Sequence, residues 1–337
     1  MTPLLEVRDL RVRFATEAGT LTAVDGISYS VEPGGSLGIV GESGSGKTVS
    51  SLAVMGLVRG SAVEVSGSAL FDGRDLLALG ERELRGVRGN DVAMVFQDPL
   101  TSLHPLKRVG AQVAEAVRAH NDVSRAAARA RAVELLAMVE LRDPRRSADA
   151  HPHELSGGMR QRAMIAMALA NEPRLLFADE PTTALDVTVQ AQILALLARL
   201  REELGMALVI VTHDLGVIAQ TAEQVAVMYA GRIVERAPTR TIFDAPEHPY
   251  TWGLLRSIPR LDLPRDVRLV PIEGRPPSLI HRPAGCSFHP RCPHVREAHR
   301  RIDPALEPAG GDPGHEVACL LPPKTRRELW AGAREGR

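Results

Sequence analysis

A chain of 337 residues is long enough for one large α/β core and a smaller appended domain. Its 41 basic and 41 acidic side chains cancel, so no overall basic field marks it for nucleic acid, and its 44% apolar content fits a globular protein. No apolar run approaches the ~20 residues that span a bilayer, so a cytosolic protein is expected, with any membrane role coming through partners.

The chain begins with alternating charged and apolar residues, Glu6-Val7-Arg8-Asp9-Leu10-Arg11-Val12, which predicts a strand rather than a signal peptide. Residues 36–40 form a short apolar strand, followed by Gly41-Glu42-Ser43-Gly44-Ser45-Gly46-Lys47-Thr48 and a helix to about residue 57. That octet is the P-loop pattern in its strand-to-helix setting. Its glycines let backbone N–H groups turn onto phosphate oxygens, and the helix N-terminus adds favourable partial charge. Lys47 is expected on the β- and γ-phosphates of ATP, and the Thr48 hydroxyl on Mg²⁺. Lysine occurs only at 47, 107 and 324 in this arginine-rich chain, so its use in that slot is selective.

Residues 92–96, 175–178, 207–211 and 225–229 are further short apolar runs, suited to strands buried on both faces of a largely parallel sheet. Between them the composition turns helical: Ser124 can cap a helix, and residues 126–141 are rich in Ala, Arg, Glu and Leu. The Arg129, Arg131, Glu134 alternation reads as a solvated helix face. Ser156-Gly157-Gly158 opens an apolar helix whose N-terminus can receive a phosphate. Asp179 and Glu180 end the run 175–178, where Asp179 can hold Mg²⁺ through water and Glu180 can polarise an attacking water.

The string Leu155-Ser156-Gly157-Gly158-Met159-Arg160-Gln161-Arg162 resembles the signature of ABC ATPases, in which it binds the γ-phosphate held by the opposite subunit's P-loop. Further landmarks of that family follow in order over about residues 4–235. The resemblance makes Gln97 a sensor of Mg²⁺ and the attacking water, on a loop that contacts the membrane subunit. Ala184-Leu185-Asp186 resembles the loop crossing the dimer interface, His213 the histidine on the γ-phosphate, and Phe14 the aromatic that stacks on adenine. The fold class implied is α/β, a P-loop ABC-type ATPase core with an inserted helical subdomain and a small C-terminal extension of peptide-importer type. The expected division is 1–97 with 172–243 for the RecA-like core and its N-terminal antiparallel strands, 98–171 for the helical subdomain, and 244–337 for the extension.

Past Phe243 the chain turns rich in Pro, His and Arg, with Pro246, Pro249, Pro259, Pro264 and Pro271 among its breakers. Glu247-His248-Pro249-Tyr250-Thr251, Leu254-Leu255-Arg256-Ser257-Ile258-Pro259 and Gly285-Cys286-Ser287-Phe288-His289-Pro290-Arg291-Cys292-Pro293 resemble one branch of the family, the ATPase subunits of dipeptide and oligopeptide importers. That branch carries a four-cysteine [4Fe–4S] site in its tail. Here Cys286, Cys292 and Cys319 match three of the four, and His299 stands at the remaining position. Zinc is the competing metal, since Cys₃His is a common tetrahedral set; unliganded thiols are the bland alternative. Little apolar material is evident around the thiols, so a metal staple for a small domain with little core of its own is expected.

The resemblance therefore implies an ATPase motor of a bacterial importer, peripheral on the cytoplasmic face of the inner membrane. Its partners would be a second, different ATPase chain, two permeases and an extracytoplasmic binding protein, with no nucleic acid. Related importers carry nickel or glutathione. A soluble ABC ATPase of DNA repair or translation would show a long coiled-coil insertion or two cores in one chain, and a non-catalytic scaffold would lack Lys47, Glu180, His213 or part of the signature.

Overall fold

The computed structural model describes residues 2–183, 185–258 and 271–335. Ala184, Pro259 and Pro264 lie outside the described residues. The chain forms two compact units, one of residues 2–4, 31–36 and 78–211, the other drawn from 5–30, 37–77 and the chain after 211.

In the first unit the strands Val92–Val95, Leu175–Asp179 and Ala207–Thr212 run parallel, with Val92 opposite Leu175 and Asp179 opposite Val211. Every residue of the three is buried, as expected of continuous apolar runs covered on both faces. The helix Arg125–Met138 buries Ala128, Ala132, Leu135 and Leu136, one helical stripe, and turns its arginines outward, where Arg129 pairs with Asp149 and Arg131 with Glu134. Ser124 caps it by accepting from the Ala127 N–H at 3.1 Å, a contact worth about 1 kcal/mol. The helix Val187–Leu204 stops where Gly205 adopts a left-handed φ of 63°.

The second unit holds an antiparallel sheet in the order Gly19–Val31, Leu5–Thr16, Val63–Phe71, Arg74–Asp75. The alternation in Leu5–Thr16 is interrupted. Leu5 and Val7 are buried, and then Leu10 and Val12, so the buried set shifts from odd to even positions. A register shift between Arg8 and Arg11, with Asp9 at φ 46°, takes up the extra residue. Gly67 lies against this bulge, and a Cβ there would meet the Arg8 and Asp9 carbonyls at 2.6 and 2.5 Å.

The same unit pairs Ser36–Val40 in parallel with Gln224–Tyr229, which pairs antiparallel with Arg232–Pro238. The tail continues this sheet: Asp312–Val317 pairs with Arg232–Pro238, and Glu307–Ala309 with Asp312–Val317. It also buries Tyr250, Trp252, Leu254, Leu255, Phe288, Val317, Leu321 and Trp330. The expectation of a tail with little core is thereby corrected. Its apolar residues are scattered without period between prolines, yet they pack together, Tyr250 and Phe288 against Tyr229 and Trp252 against Trp330. Fully buried Glu235 anchors the tail, accepting from the Glu247 and His248 N–H groups at 2.6 and 3.1 Å and facing His315 Nε2 at 2.8 Å.

Candidate functional site

The site residues fall into two groups, one in each unit. In the second unit the buried strand Ser36–Val40 delivers the chain into the P-loop, and the helix Lys47–Val54 leaves it. Gly44 and Gly46 have φ of 76° and 99°, which only glycine adopts at little cost. A Cβ on Gly41 would meet the Met228 carbonyl at 2.1 Å, and one on Gly46 the Ala23 carbonyl at 2.2 Å. Backbone thus closes in on both sides of the loop, while Ser43 and Gly44 remain exposed. Ser45 is buried, and its carbonyl accepts from the Gly231 N–H at 2.9 Å. Lys47, only 5% exposed, donates from Nζ to the Gly41 and Glu42 carbonyls at 2.7 and 3.0 Å. Thr48 follows it, half-buried in the first helical turn. A glycine-rich loop that leads into a helix N-terminus beside a buried ammonium can cradle phosphate oxygens.

Phe14, half-buried, sits near the end of strand Leu5–Thr16, opposite Val63. His213 is exposed, held in a tight turn: the Asp214 N–H donates to Thr212 Oγ1 at 3.0 Å, and the Asp214 carboxylate caps the helix Leu215–Thr221 by accepting from the Gly216 N–H at 2.7 Å.

The first unit carries the acidic group. Asp179 ends its strand 3% exposed, and Glu180 follows at a left-handed φ of 45°. A glutamate in that region is strained, and its N–H is secured by the Val211 carbonyl at 2.8 Å. Gln97 Nε2 donates to Glu180 Oε2 at 2.9 Å, and Thr183 Oγ1 donates to the same oxygen at 2.8 Å. The structure thus brings Gln97 and Glu180 together. Thr183 was missed in the sequence, and its three-residue spacing from Glu180 is the signal that marks it. A carboxylate oriented by two donors can take the proton of a water and hold its lone pair on line.

Ser156, exposed, caps the helix Gly157–Ala168 by accepting from the Met159 N–H at 3.3 Å. Gly158 has no room for a side chain, since a Cβ would stand 2.7 Å from Val189. Asp186 caps the helix Val187–Leu204 through the Val189 N–H at 2.9 Å.

In the tail, burial raises the thiols of Cys286, Cys292 and Cys319, the second to about 12 and the third to about 11. The charges of Cys319 and Cys286 push Cys292 the same way, so the three share one electrostatic neighbourhood. The Cys286 N–H donates to the His299 carbonyl at 2.9 Å, and the His299 ring is 4% exposed with Nε2 lacking a hydrogen-bond partner. Among the described residues, no three His, Cys, Asp or Glu side chains are arranged to hold one metal ion.

An ABC transporter family model matches residues 24–183, and one for the oligopeptide/dipeptide transporter C-terminal region matches residues 234–298. The oligopeptide transport ATP-binding protein of Salmonella typhimurium is 49% identical over 319 residues, covering 95% of this chain and 94% of that protein. This chain belongs to the ATP-binding subunits of the oligopeptide/dipeptide ABC transporter family. The dipeptide transport ATP-binding protein of Escherichia coli, 49% identical over 319 residues, covers 95% of this chain and 97% of its own length. Among solved structures, a dimeric ATP-binding cassette in a post-hydrolysis state with ADP and phosphate matches with a TM-score of 0.63 and 30% identity, over 70% of this chain and 99% of that one. The chain is therefore an ABC ATPase with the α/β fold of these cassettes, and its substrate is ATP as the magnesium complex.

Proposed function

We propose that this ATPase drives import of dipeptides or oligopeptides. The observation that carries the reading is the tail, since residues 234–298 match the C-terminal region of peptide transporters and the relatives that match along the whole chain are peptide-transport subunits. In this reading permease subunits supply the channel and a second ATPase chain completes the motor, as the likeness to peptide-transport ATP-binding proteins supports. The motor then lies peripherally on the cytoplasmic face of the inner membrane, and an extracytoplasmic binding protein delivers the cargo.

In the proposed reaction Gly41, Ser43, Gly44, Ser45, Gly46, Thr48 and the Lys47 ammonium hold the β- and γ-phosphates, and Phe14 stacks on adenine. Thr48, Asp179 and Gln97 would hold Mg²⁺, which neutralises charge developing on the phosphates. Glu180, oriented by Gln97 and Thr183, takes the proton of the attacking water. His213 steadies the γ-phosphate, while Ser156, Gly157 and Gly158 receive the phosphate bound by the partner chain, with Asp186 on the loop facing that chain. These roles divide the chain into an ATP-binding core of 1–97 with 172–243, a helical part of 98–171 and an extension from 244.

For the tail we infer a metal centre on Cys286, Cys292, Cys319 and His299. The shared electrostatic neighbourhood of the thiols and the unpartnered buried Nε2 support it. The choice of a [4Fe–4S] cluster over zinc rests on the resemblance of the tail to its family branch. The thiols, held protonated by burial, would release their protons on binding, and the centre would cross-link the tail.

The test of cargo is ATP hydrolysis by the assembled transporter, stimulated by binding protein loaded in turn with a dipeptide, an oligopeptide, nickel or glutathione. Stimulation by peptide alone supports the reading; stimulation by nickel or glutathione alone refutes it.

A further inference from the structure

Glu42, the second residue of the P-loop, is held at each of its polar groups. Its carbonyl accepts from Lys47 Nζ at 3.0 Å and from the Ser45 N–H at 3.2 Å, both within the loop. Its N–H donates to the Tyr250 hydroxyl at 2.8 Å, and its carboxylate receives both terminal nitrogens of Arg291 at 2.5 and 3.0 Å. Those last two partners belong to the tail.

Arg291 is itself locked. Its side chain is 3% exposed, Nε donates to the Glu273 carbonyl at 2.9 Å, and Nη2 also reaches the Ile272 carbonyl at 3.3 Å. Its guanidinium lies 5.8 Å from the centre of the Tyr229 ring, which packs at 4.6 and 5.2 Å against Tyr250 and Phe288. A second strap reaches the loop's surroundings from the tail: Arg282 donates to Asp25 at 2.5 Å and to the Ala230 carbonyl at 2.7 Å, next to Gly231, whose N–H donates to the Ser45 carbonyl.

We propose that Arg291 is a positioning residue for the nucleotide site: the tail, through Arg291 and Tyr250, presets the P-loop and neutralises the Glu42 carboxylate beside the place the triphosphate must occupy. Two physical effects follow from one fork. The loop is ordered before ATP arrives, so less ordering cost is charged against binding. The bidentate guanidinium also cancels an acid that would otherwise repel phosphate oxygens at close range. Lys47 waits on the Glu42 carbonyl, so a shift of Glu42 moves the ammonium that meets the phosphates.

The inference rests on the ATPase assignment and is independent of the cargo. Its test uses the full chain, titrated with ATP and with ADP, alongside kcat and KM in the assembled transporter. Arg291→Ala is expected to weaken nucleotide binding about tenfold and to raise KM for ATP by a similar factor, with a smaller change in kcat. Arg291→Ala with Glu42→Gln should recover much of the loss, because the unpaired charge is gone; a merely structural role for the pair predicts no recovery. Trp252 and Trp330, the two tryptophans of the chain, both lie in the tail with rings 6.3 Å apart, so their emission reports whether the tail stays folded. If Arg291→Ala alters that emission, Arg291→Lys carries the test, with an intermediate loss of affinity expected. ATP affinity within twofold of wild type in the folded variant, or a fall in kcat at unchanged KM, overturns the proposal.

Discussion

Gln97 Nε2 and Glu180 Oε2 stand 2.9 Å apart, joined across 83 positions of sequence because the parallel strands Val92–Val95 and Leu175–Asp179 end side by side. The bond, with that from Thr183, orients the carboxylate that the mechanism assigns to water. Glu180→Gln should retain ATP binding and lower steady-state hydrolysis by ~10²–10⁴-fold. Lys47→Ala should instead weaken binding itself, by about tenfold or more. Titration of ATP against each variant, with turnover in the assembled transporter, separates the two. Unchanged turnover in Glu180→Gln would sink the assignment.

A second expectation concerns the exposed helix cap Ser156. If the signature serves the ATP of the partner, Ser156→Arg in this chain disables the site built on the partner's P-loop and leaves ATP on Lys47 of its own chain in place. Site-specific crosslinking of an azido-ATP in a dimer carrying one altered chain reads this out. Crosslinks between Ser156 and the ATP held by Lys47 of the same chain contradict the arrangement.

His248 gives a pH dependence. Burial, reinforced by the positive charge of Arg326, pushes its pKa down to about 3 from about 6.5. The fold holds the neutral ring, so the stability this group contributes is complete above about pH 6.5 and is lost as pH falls toward 3. Between pH 7 and pH 5 the loss is about 2 kcal/mol. His248→Asn, which keeps a side-chain acceptor for the Tyr250 N–H, should remove that part of the slope in denaturant titrations. An identical slope in wild type and variant would show that His248 does not titrate with unfolding.

The metal reading is checked by anaerobic purification and assay of iron, sulfide and zinc. Iron with sulfide is the expected result, reduced by Cys292→Ser. Stoichiometric zinc would replace the cluster, and absence of all three would leave three protonated thiols. None of these results bears on the ATPase assignment itself.

The P-loop and the Asp179-Glu180 pair could be proposed from sequence because their chemistry is local, whereas Gln97, His213, Phe14 and Asp186 came only from the family resemblance. Gly41 to Thr48 bend one turn between a strand and a helix, and Asp179-Glu180 simply end a buried strand, so spacing alone carries the geometry. Where the structure depends on distant partners, the sequence was silent. Arg291 reads as one arginine among many, and nothing local joins it to Glu42, 249 positions away. His315 and Glu235 meet as two strands pair, in a stretch without usable period. The bulge at Asp9 also escaped, since a run of alternating residues does not announce where its phase changes.

The most direct test of the account is uptake of a labelled peptide by proteoliposomes containing the whole transporter with ATP supplied on the face that carries this subunit. Wild-type chain should concentrate peptide only while ATP is hydrolysed, and Glu180→Gln should abolish both hydrolysis and accumulation although ATP still binds. Peptide accumulation at the wild-type rate with Glu180→Gln, or ATP hydrolysis with no peptide movement in the wild type, would contradict it.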